Sequence, residues 1–430
     1  MSEALVLGLV FAFLLFAGVP IAFAIGASAF AALLVSLDPA PAATVLAQRM
    51  ATGIDSFALL AIPFFILAGN LMNRGGIATR LIALAKAIVG RLPGGLACVN
   101  ILANMLFGAI SGSAVAAAAA NGGVMTPLMR KEGYDRDYAA AVNISSATTG
   151  LLIPPSNIMV VYSMASGGVS IAALFLAGYI PGLLLGLALM LVAAVIAKRH
   201  GYPTAGAVGL GEALRIFVDA LPSLLLVALV MGGIILGWFT PTEASAIAVV
   251  YTFVLSVFVY RQVKWSELPR LFTDSAETTA IVLVLVGASM GMSWVMASAN
   301  IPQSVSAGLL ALTQDKTLLL LIITVILLVV GTFMDMTPAV LIFTPIFLPV
   351  VKQFGMDPIH FGLVMIFNLC IGLCTPPVGS VLFVGCGIAQ TTIAKVVRPL
   401  LPFFIAMLVV LLAVTYIPAI SLWLPRALGF

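Results

Sequence analysis

Charge is what this sequence has least of. Asp, Glu, Lys and Arg make up 8% of its 430 residues, where a soluble globular chain has ~25%. A soluble enzyme, a secreted domain and a single-anchor receptor are excluded. No Lys or Arg occurs before Arg49; the basic start of a cleaved signal peptide is missing, and the first apolar stretch is too long for one. With only His200 and His360, no histidine-rich metal site is available. The four cysteines, Cys98, Cys370, Cys374 and Cys386, lack metal-ligand spacing and read as small packing residues in apolar segments. Paired carboxylates, Ser with His, and HExxH are absent from facing helices, which removes an intramembrane protease. Polar and apolar residues do not alternate as they do in outer-membrane barrel strands. No cofactor and no nucleic-acid partner is expected.

Apolar sequence is there in long unbroken runs, as in VLGLVFAFLLFAGVPIAFAIGASAFAALLV (6–35), and 63% of residues are hydrophobic. The mean hydropathy is +1.23. At ~20 apolar residues per crossing, the chain has room for roughly ten to twelve spanning helices. Polar breaks give candidate crossings at 4–17, 19–37, 57–73, 134–165, 169–197, 215–237, 241–261, 278–299, 358–388 and 395–424. Two further stretches, 95–129 and 317–352, are each long enough for two helices. Short polar breaks interrupt them, at Ser111-Gly112-Ser113 and from Thr332 to Pro338. Each is read either as two crossings or as a re-entrant hairpin. Amphipathic pieces at 77–91 and 302–313 precede them and suit the membrane interface.

The chain matches itself at a shift of 222 residues, which sets Gly133 on Gly355, Asp135 on Asp357 and Pro154-Pro155 on Pro376-Pro377. Farther out the register drifts, pairing Pro20 with Pro241, Ile77 with Ile301 and Thr126-Pro127 with Thr344-Pro345. Two halves of one design are expected, 1–200 with hairpin 95–129 and broken helix 134–165, and 215–430 with hairpin 317–352 and broken helix 358–388. With five crossings per half, non-crossing hairpins and both termini periplasmic, only Arg49, Lys316, Lys352 and Arg426 of the 19 basic residues fall outside. That bias selects this orientation over its mirror image. An odd number of crossings inverts one half relative to the other, and inverted repeats point to a transporter. The expected fold is an all-α polytopic membrane protein built as an inverted repeat.

Chemistry is expected at four interruptions. TTGLLIPPSN (148–157) and IGLCTPPVG (371–379) place Gly and then Pro-Pro in apolar segments. Proline removes a donor and disturbs the preceding turn, freeing carbonyls near Gly150 and Gly372. Irregular backbone at membrane depth is tolerated only inside protein or around a watery cavity. A simple proline kink re-satisfied by neighbours is the alternative. A sodium ion suits such carbonyls, because it takes oxygen ligands and helix C-terminal ends carry partial negative charge. Ser113 and Thr337 read as helix N-caps, with Pro338 at the first helical position; capping alone also explains their hydroxyls. Asp335 is the one carboxylate clearly within an apolar stretch, a cation ligand, a hydroxyl acceptor or a support for its own loop. Two sodium sites follow, one using Ser111, Gly112, Ser113 and Gly150, the other Thr332, Asp335, Thr337, Gly372 and Thr375. Helix N-termini hold anions, so a substrate anion is expected between Ser113, Asn157 and Thr337. Glu243 is read as part of a capping box beginning at Thr240. Arg49 and Asp55 are read as interface anchors, and Ser56 as an N-cap.

IDSFALLAIPFFILAGNLM (54–72), FGAISGSAVA (107–116), GLLIPPSN, GWFTPTEASA (237–246) and GLCTPPVGS (372–380) together resemble the large membrane subunit of tripartite ATP-independent periplasmic (TRAP) transporters. The resemblance covers nearly the whole chain. It implies a sodium-driven, elevator-type importer of organic acids in the bacterial inner membrane, fed by a periplasmic substrate-binding protein. It also implies a small four-helix membrane subunit, expected as a separate chain because residue 1 leads almost directly into the first helix. A stand-alone organic-anion/cation symporter shares the hairpins and broken helices and is the competing reading. A channel has little reason to carry two hairpins opening from opposite faces.

Overall fold

The computed structural model describes residues 2–206, 208–376 and 378–430, and of Ile110 the backbone only. All regular structure among the described residues is helical. The first half runs α1 (Glu3–Phe16), α2 (Ile21–Leu33), α3 (Pro39–Ile54), α4 (Ala61–Arg74), α5 (Ile77–Val89), α6 (Gly95–Ser111) and α7 (Ala114–Lys131). It continues through α8 (Arg136–Ala147), the single turn α9 (Thr149–Leu152), α10 (Asn157–Ala165) and α11 (Ile171–His200). The second half runs α12 (Leu210–Ile235), α13 (Pro241–Phe253), α14 (Leu268–Ser298), α15 (Ile301–Leu312), α16 (Lys316–Phe333) and α17 (Met336–Gln353). It ends with α18 (Pro358–Gly372), α19 (Ser380–Ala389), α20 (Ile393–Tyr416) and α21 (Ala419–Ala427).

Among the described residues, eight helices are long and apolar enough to cross a membrane. A ninth span is possible where 136–152 and 157–165 meet at a 52° bend. Both α16 and α17 are among the eight, at 18 residues each, so by length alone either can cross. Local chemistry sets the helix starts. Asp135 Oδ1 accepts from the Tyr138 amide at 2.9 Å and Asp357 Oδ1 from the Ile359 amide at 2.8 Å, so the aspartates aligned by the internal match open α8 and α18 in the same way. Thr240 and Glu243 form the expected capping box: the Thr240 amide donates to Glu243 Oε2 at 2.8 Å and the Glu243 amide to Thr240 Oγ1 at 3.2 Å.

Several boundaries differ from the sequence expectation. The crossing expected at 278–299 starts ten residues earlier, at Leu268. Its polar first turns are accommodated because Asp274 accepts from Arg74 of α4 at 2.7 Å and Ser275 accepts from Asn70 at 2.8 Å. The crossing expected at 241–261 is α13 extended by a π-helical turn over Val254–Val259. Segment 38–56 is helical and packs on α14, with Arg49 over the Trp294 ring at 5.0 Å. Ser56 precedes a 3-10 turn at Phe57–Leu60 and makes no side-chain cap bond.

The broken helices occupy the centre. Every residue from Tyr138 to Ala147 in α8 and from His360 to Gly372 in α18 is buried. Each break lies against the other half: the Cys370 and Cys374 thiols donate to the Thr148 and Ile144 carbonyls at 3.8 and 3.3 Å. The four cysteines are buried and unbridged, packing groups as expected. Two backbone approaches also match. A Cβ on Gly108 of α6 would lie 2.2 Å from the Gly150 Cα, and one on Gly372 would lie 2.5 Å from the Gly331 Cα of α16. Glycine lets each outer arm rest directly on its broken helix, because any side chain would force the backbones apart.

Candidate functional site

The turn between α6 and α7 is two residues long. Gly112 takes a left-handed φ of +61°, which closes α6, and Ser113 caps α7 by accepting from the Ala116 amide at 3.3 Å. A Cβ at Gly112 would sit 3.3 Å from the Asn157 amide nitrogen, so this tip rests on the start of α10. On its far side the tip meets α4, where a Cβ at Gly69 would lie 3.1 Å from the Ser111 carbonyl oxygen.

The corresponding turn between α16 and α17 corrects one expectation. The N-cap of α17 is Asp335, not Thr337; it is extended, and its carbonyl accepts from the Ala339 amide at 3.3 Å. Thr337 and Pro338 therefore fall at the second and third helical positions. Proline is tolerated there because the first four helical amides have no acceptor within the helix.

The two tips share one cavity of about 270 Å³. Ser111, Gly112 and Ser113 enter from the first tip, and Asp335, Met336 and Thr337 from the second. Asn157 and Ser380, the opening residues of α10 and α19, line it after the two breaks. Four helix N-termini thus face one space. The opposite wall is α4 and α14, contributing Ile62, Ile66, Gly69, Asn70, Thr278 and Val282. Among the described residues no Lys or Arg lines the cavity, and Asp335 is its one ionisable side chain. Asn157 Oδ1 and Ser380 Oγ are buried and, among the described residues, make no hydrogen bond of good geometry; the latter lies beside the Asp335 carboxylate. A buried polar atom left unpaired costs stability, and this pair adjoins a cavity in which a ligand can satisfy it. Four N-termini and neutral donors suit an anion, whereas hydroxyls, carbonyls and a carboxylate suit a hard cation.

Six of the sequence-derived site residues, Ser111, Gly112, Ser113, Asn157, Asp335 and Thr337, line this one cavity. Gly150 and Gly372 sit behind it at the glycine contacts, and the Gly372 carbonyl accepts from the Thr375 amide at 2.9 Å. The Thr332 and Thr375 hydroxyls point back to their own helices, donating to the Val329 and Ile371 carbonyls at 2.7 Å each. Pro377, the second proline of the later break, lies outside the described residues.

Sequence reasoning missed Asn70, Thr278 and Ser380. Asn70 had a visible signal, a lone amide in the apolar run FFILAGNLM. Ser380 opens the helix after the later proline break as Asn157 does after the first, but the internal match sets Asn157 on Gly379, so it gave no direct route to Ser380. Also missed was a buried amide cluster: Asn104 Nδ2 donates to Asn100 Oδ1, Asn143 Oδ1 and Ser146 Oγ, and Asn104 Oδ1 accepts from Asn121 at 2.7 Å. It ties α6, α7 and α8 together.

The sequence model of the tripartite ATP-independent periplasmic transporter, DctM component, matches residues 7–420. The chain belongs to this family. It is therefore a transport component rather than an enzyme. The uncharacterised protein YgiK of Salmonella typhimurium is 58% identical over 96% of this chain and 95% of its own length. The C4-dicarboxylate TRAP transporter large permease protein DctM of Pseudomonas aeruginosa is 42% identical over 89% of this chain and 90% of its own. In fold, this TRAP-family chain is similar to the crystal structure of the Alcanivorax borkumensis YdaH transporter. The TM-score is 0.67 at 15% identity, with 99% of this chain and 100% of the other covered. TRAP family membership accounts for the composition, the multi-pass helices and the motifs at the tips and breaks.

Proposed function

We propose that this chain is the large permease of a sodium-coupled importer of a small organic acid, supplied by a periplasmic binding protein and assembled with a small four-helix membrane subunit in the inner membrane. The observation that carries the reading is the shared cavity, where four helix N-termini and unpaired neutral groups meet beside Asp335 with no lysine or arginine. The N-termini and hydroxyls hold the carboxylate, with Ser113, Asn157 and Thr337 closest to it. Asp335 repels that anion until a cation neutralises it, so sodium binds first and substrate second. Tip hydroxyls and carbonyls serve one sodium site (Ser111, Gly112, Ser113, Gly150), and the second tip serves the other (Thr332, Asp335, Thr337, Gly372, Thr375).

The two halves act as an inverted repeat, a reading supported by the matched aspartate caps and the matched glycine contacts. The tips and broken helices (95–165 and 317–388) move as one body, with α20 and α21, which His360 ties to α18, travelling alongside, and carry the cavity between faces in the manner of an elevator. The dicarboxylate named for the Pseudomonas relative supports an organic acid as the substrate class. Uptake into proteoliposomes, with and without candidate binding proteins, under an inward sodium gradient tests the scheme. Uptake is expected to require both. Uptake that ignores sodium ends the coupling scheme. Uptake without any binding protein favours the stand-alone symporter.

A further inference from the structure

A second cavity, of about 470 Å³, lies where α16 and α18 begin and where α20 gives way to α21. Lys316 and Arg426 line it, with Asp357 as the one carboxylate. Among the described residues neither cation pairs with a carboxylate of the chain, and Asp357 Oδ1 is engaged as the cap of α18. The floor is fixed: buried His360 has Nδ1 2.6 Å from Ser421 Oγ and Nε2 3.2 Å from the Thr415 carbonyl, pinning α21 to α18. Across the mouth, Tyr416 Oη donates to the Thr317 carbonyl at 3.0 Å. Asp315, at the edge beside Lys316, is engaged by the Thr317 amide at 2.8 Å as the cap of α16, so the two lining cations face carboxylates already held as helix caps and are left to an oxyanion.

What leads away from the cations identifies the oxyanion. From Lys316, α16 presents Leu318, Leu321, Val325 and Val329 as one exposed apolar stripe. On α20, Ile405, Val409, Leu412 and Tyr416 form a second exposed stripe ending at the same cavity. The spacing of three and four residues keeps each stripe on one helix face. Both helices pack against buried α18. Trp423 of α21, next to the lining residue Leu422, is 62% exposed, as suits an aromatic at a membrane interface. Two cations from which exposed apolar stripes run along two helices match a lipid, not a free ion. We infer that this is a site for an anionic phospholipid, its phosphate between Lys316 and Arg426 and its acyl chains along α16 and α20. Bound there, the lipid braces the arm that carries the Asp335 tip.

The test is native mass spectrometry of the full chain taken from vesicles of equal phosphatidylglycerol and phosphatidylcholine. Phosphatidylglycerol is expected to be retained about tenfold over phosphatidylcholine, given two cations near the headgroup. The preference is expected to vanish in Lys316→Gln/Arg426→Gln and to persist in Lys352→Gln, a basic residue that does not line the cavity. Equal retention of the two lipids by the parent overturns the site, whatever the variants do. So does an equal loss in Lys352→Gln. Displacement of phosphatidylglycerol by millimolar inorganic phosphate would make it a free-oxyanion site, and loss of the lipid whenever a small membrane subunit co-purifies would make the two stripes a protein interface.

Discussion

Two kinds of polar side chain meet in the shared cavity, and substitution separates them. Ser113 is both a lining group and the cap of α7. Ser113→Ala is expected to cost about 1 kcal/mol of stability and to weaken substrate binding. Ser380 Oγ makes no hydrogen bond of good geometry among the described residues, and its nearest polar neighbour is the Asp335 carboxylate. Ser380→Ala removes a weakly satisfied hydroxyl beside Asp335, so thermal stability should change by no more than about 1 kcal/mol, while substrate affinity falls about tenfold through loss of a bond to a charged ligand. Thermal shift and substrate titration on the same samples check both; a Ser380→Ala protein that binds normally removes Ser380 from the site. Asp335→Asn keeps size and hydrogen-bonding capacity but not charge. Substrate affinity in the parent should rise about fivefold or more with saturating sodium, and much less in the variant. Equal sodium dependence in the two would take Asp335 out of the coupling.

At the scale of elements, the glycine contacts decide how tip and break are joined. Gly108→Ala drives a Cβ to 2.2 Å from the Gly150 backbone, and Gly331→Ala one to 3.1 Å from the Gly372 Cα. The first should cost about 1–3 kcal/mol, as overpacking against backbone does, and the second less. Gly123 of α7 has open space around its missing Cβ. Gly123→Ala should be neutral or stabilising by up to about 1 kcal/mol, the gain of alanine over glycine inside a helix. Midpoints of thermal unfolding in one detergent rank the three; a harmless Gly108→Ala would show that α6 and α9 are not held at backbone contact. The joint between tip and break was only half legible. Gly150 and Gly372 stood out beside the prolines and were read as sources of free carbonyls, whereas their partners Gly108 and Gly331 lie in apolar runs with no local mark. Their role is a contact between chain segments about 40 residues apart.

At the scale of the molecule, the cavity lies between tips and breaks on one side and α4 and α14 on the other. If the first group moves as a body, a link across this seam stops transport. Cysteines placed at Ile66 of α4 and Val115 of α7, both lining the cavity, should abolish uptake when bridged by a thiol cross-linker and restore it when the bridge is cleaved. The four native cysteines are buried, so background labelling is low. Bridges at several depths that leave uptake intact would refute the moving body. Orientation has its own check: with the termini periplasmic, single cysteines at Arg49 and Lys352 should react with an impermeant thiol reagent in intact spheroplasts, and one at Lys131 only after lysis.

The sequence by itself determined the membrane class, the helical architecture, the internal match and the family. These follow from hydropathy, proline placement and capping residues, all local or periodic properties that a linear string displays. It also named most of the polar side chains of the shared cavity, because hydroxyls, an amide and a carboxylate stand out against apolar runs. Only the tertiary structure decided which of those residues face one space. It turned Gly150, Thr332, Gly372 and Thr375 away from the cavity lining, moved the cap of α17 from Thr337 to Asp335, and brought in Asn70, Thr278 and Ser380. The reason is physical: a polar residue at a helix break can satisfy itself on its own backbone, as Thr332 and Thr375 do, or turn outward to meet another segment. That choice depends on what packs opposite it, and what packs opposite comes from elsewhere in the chain.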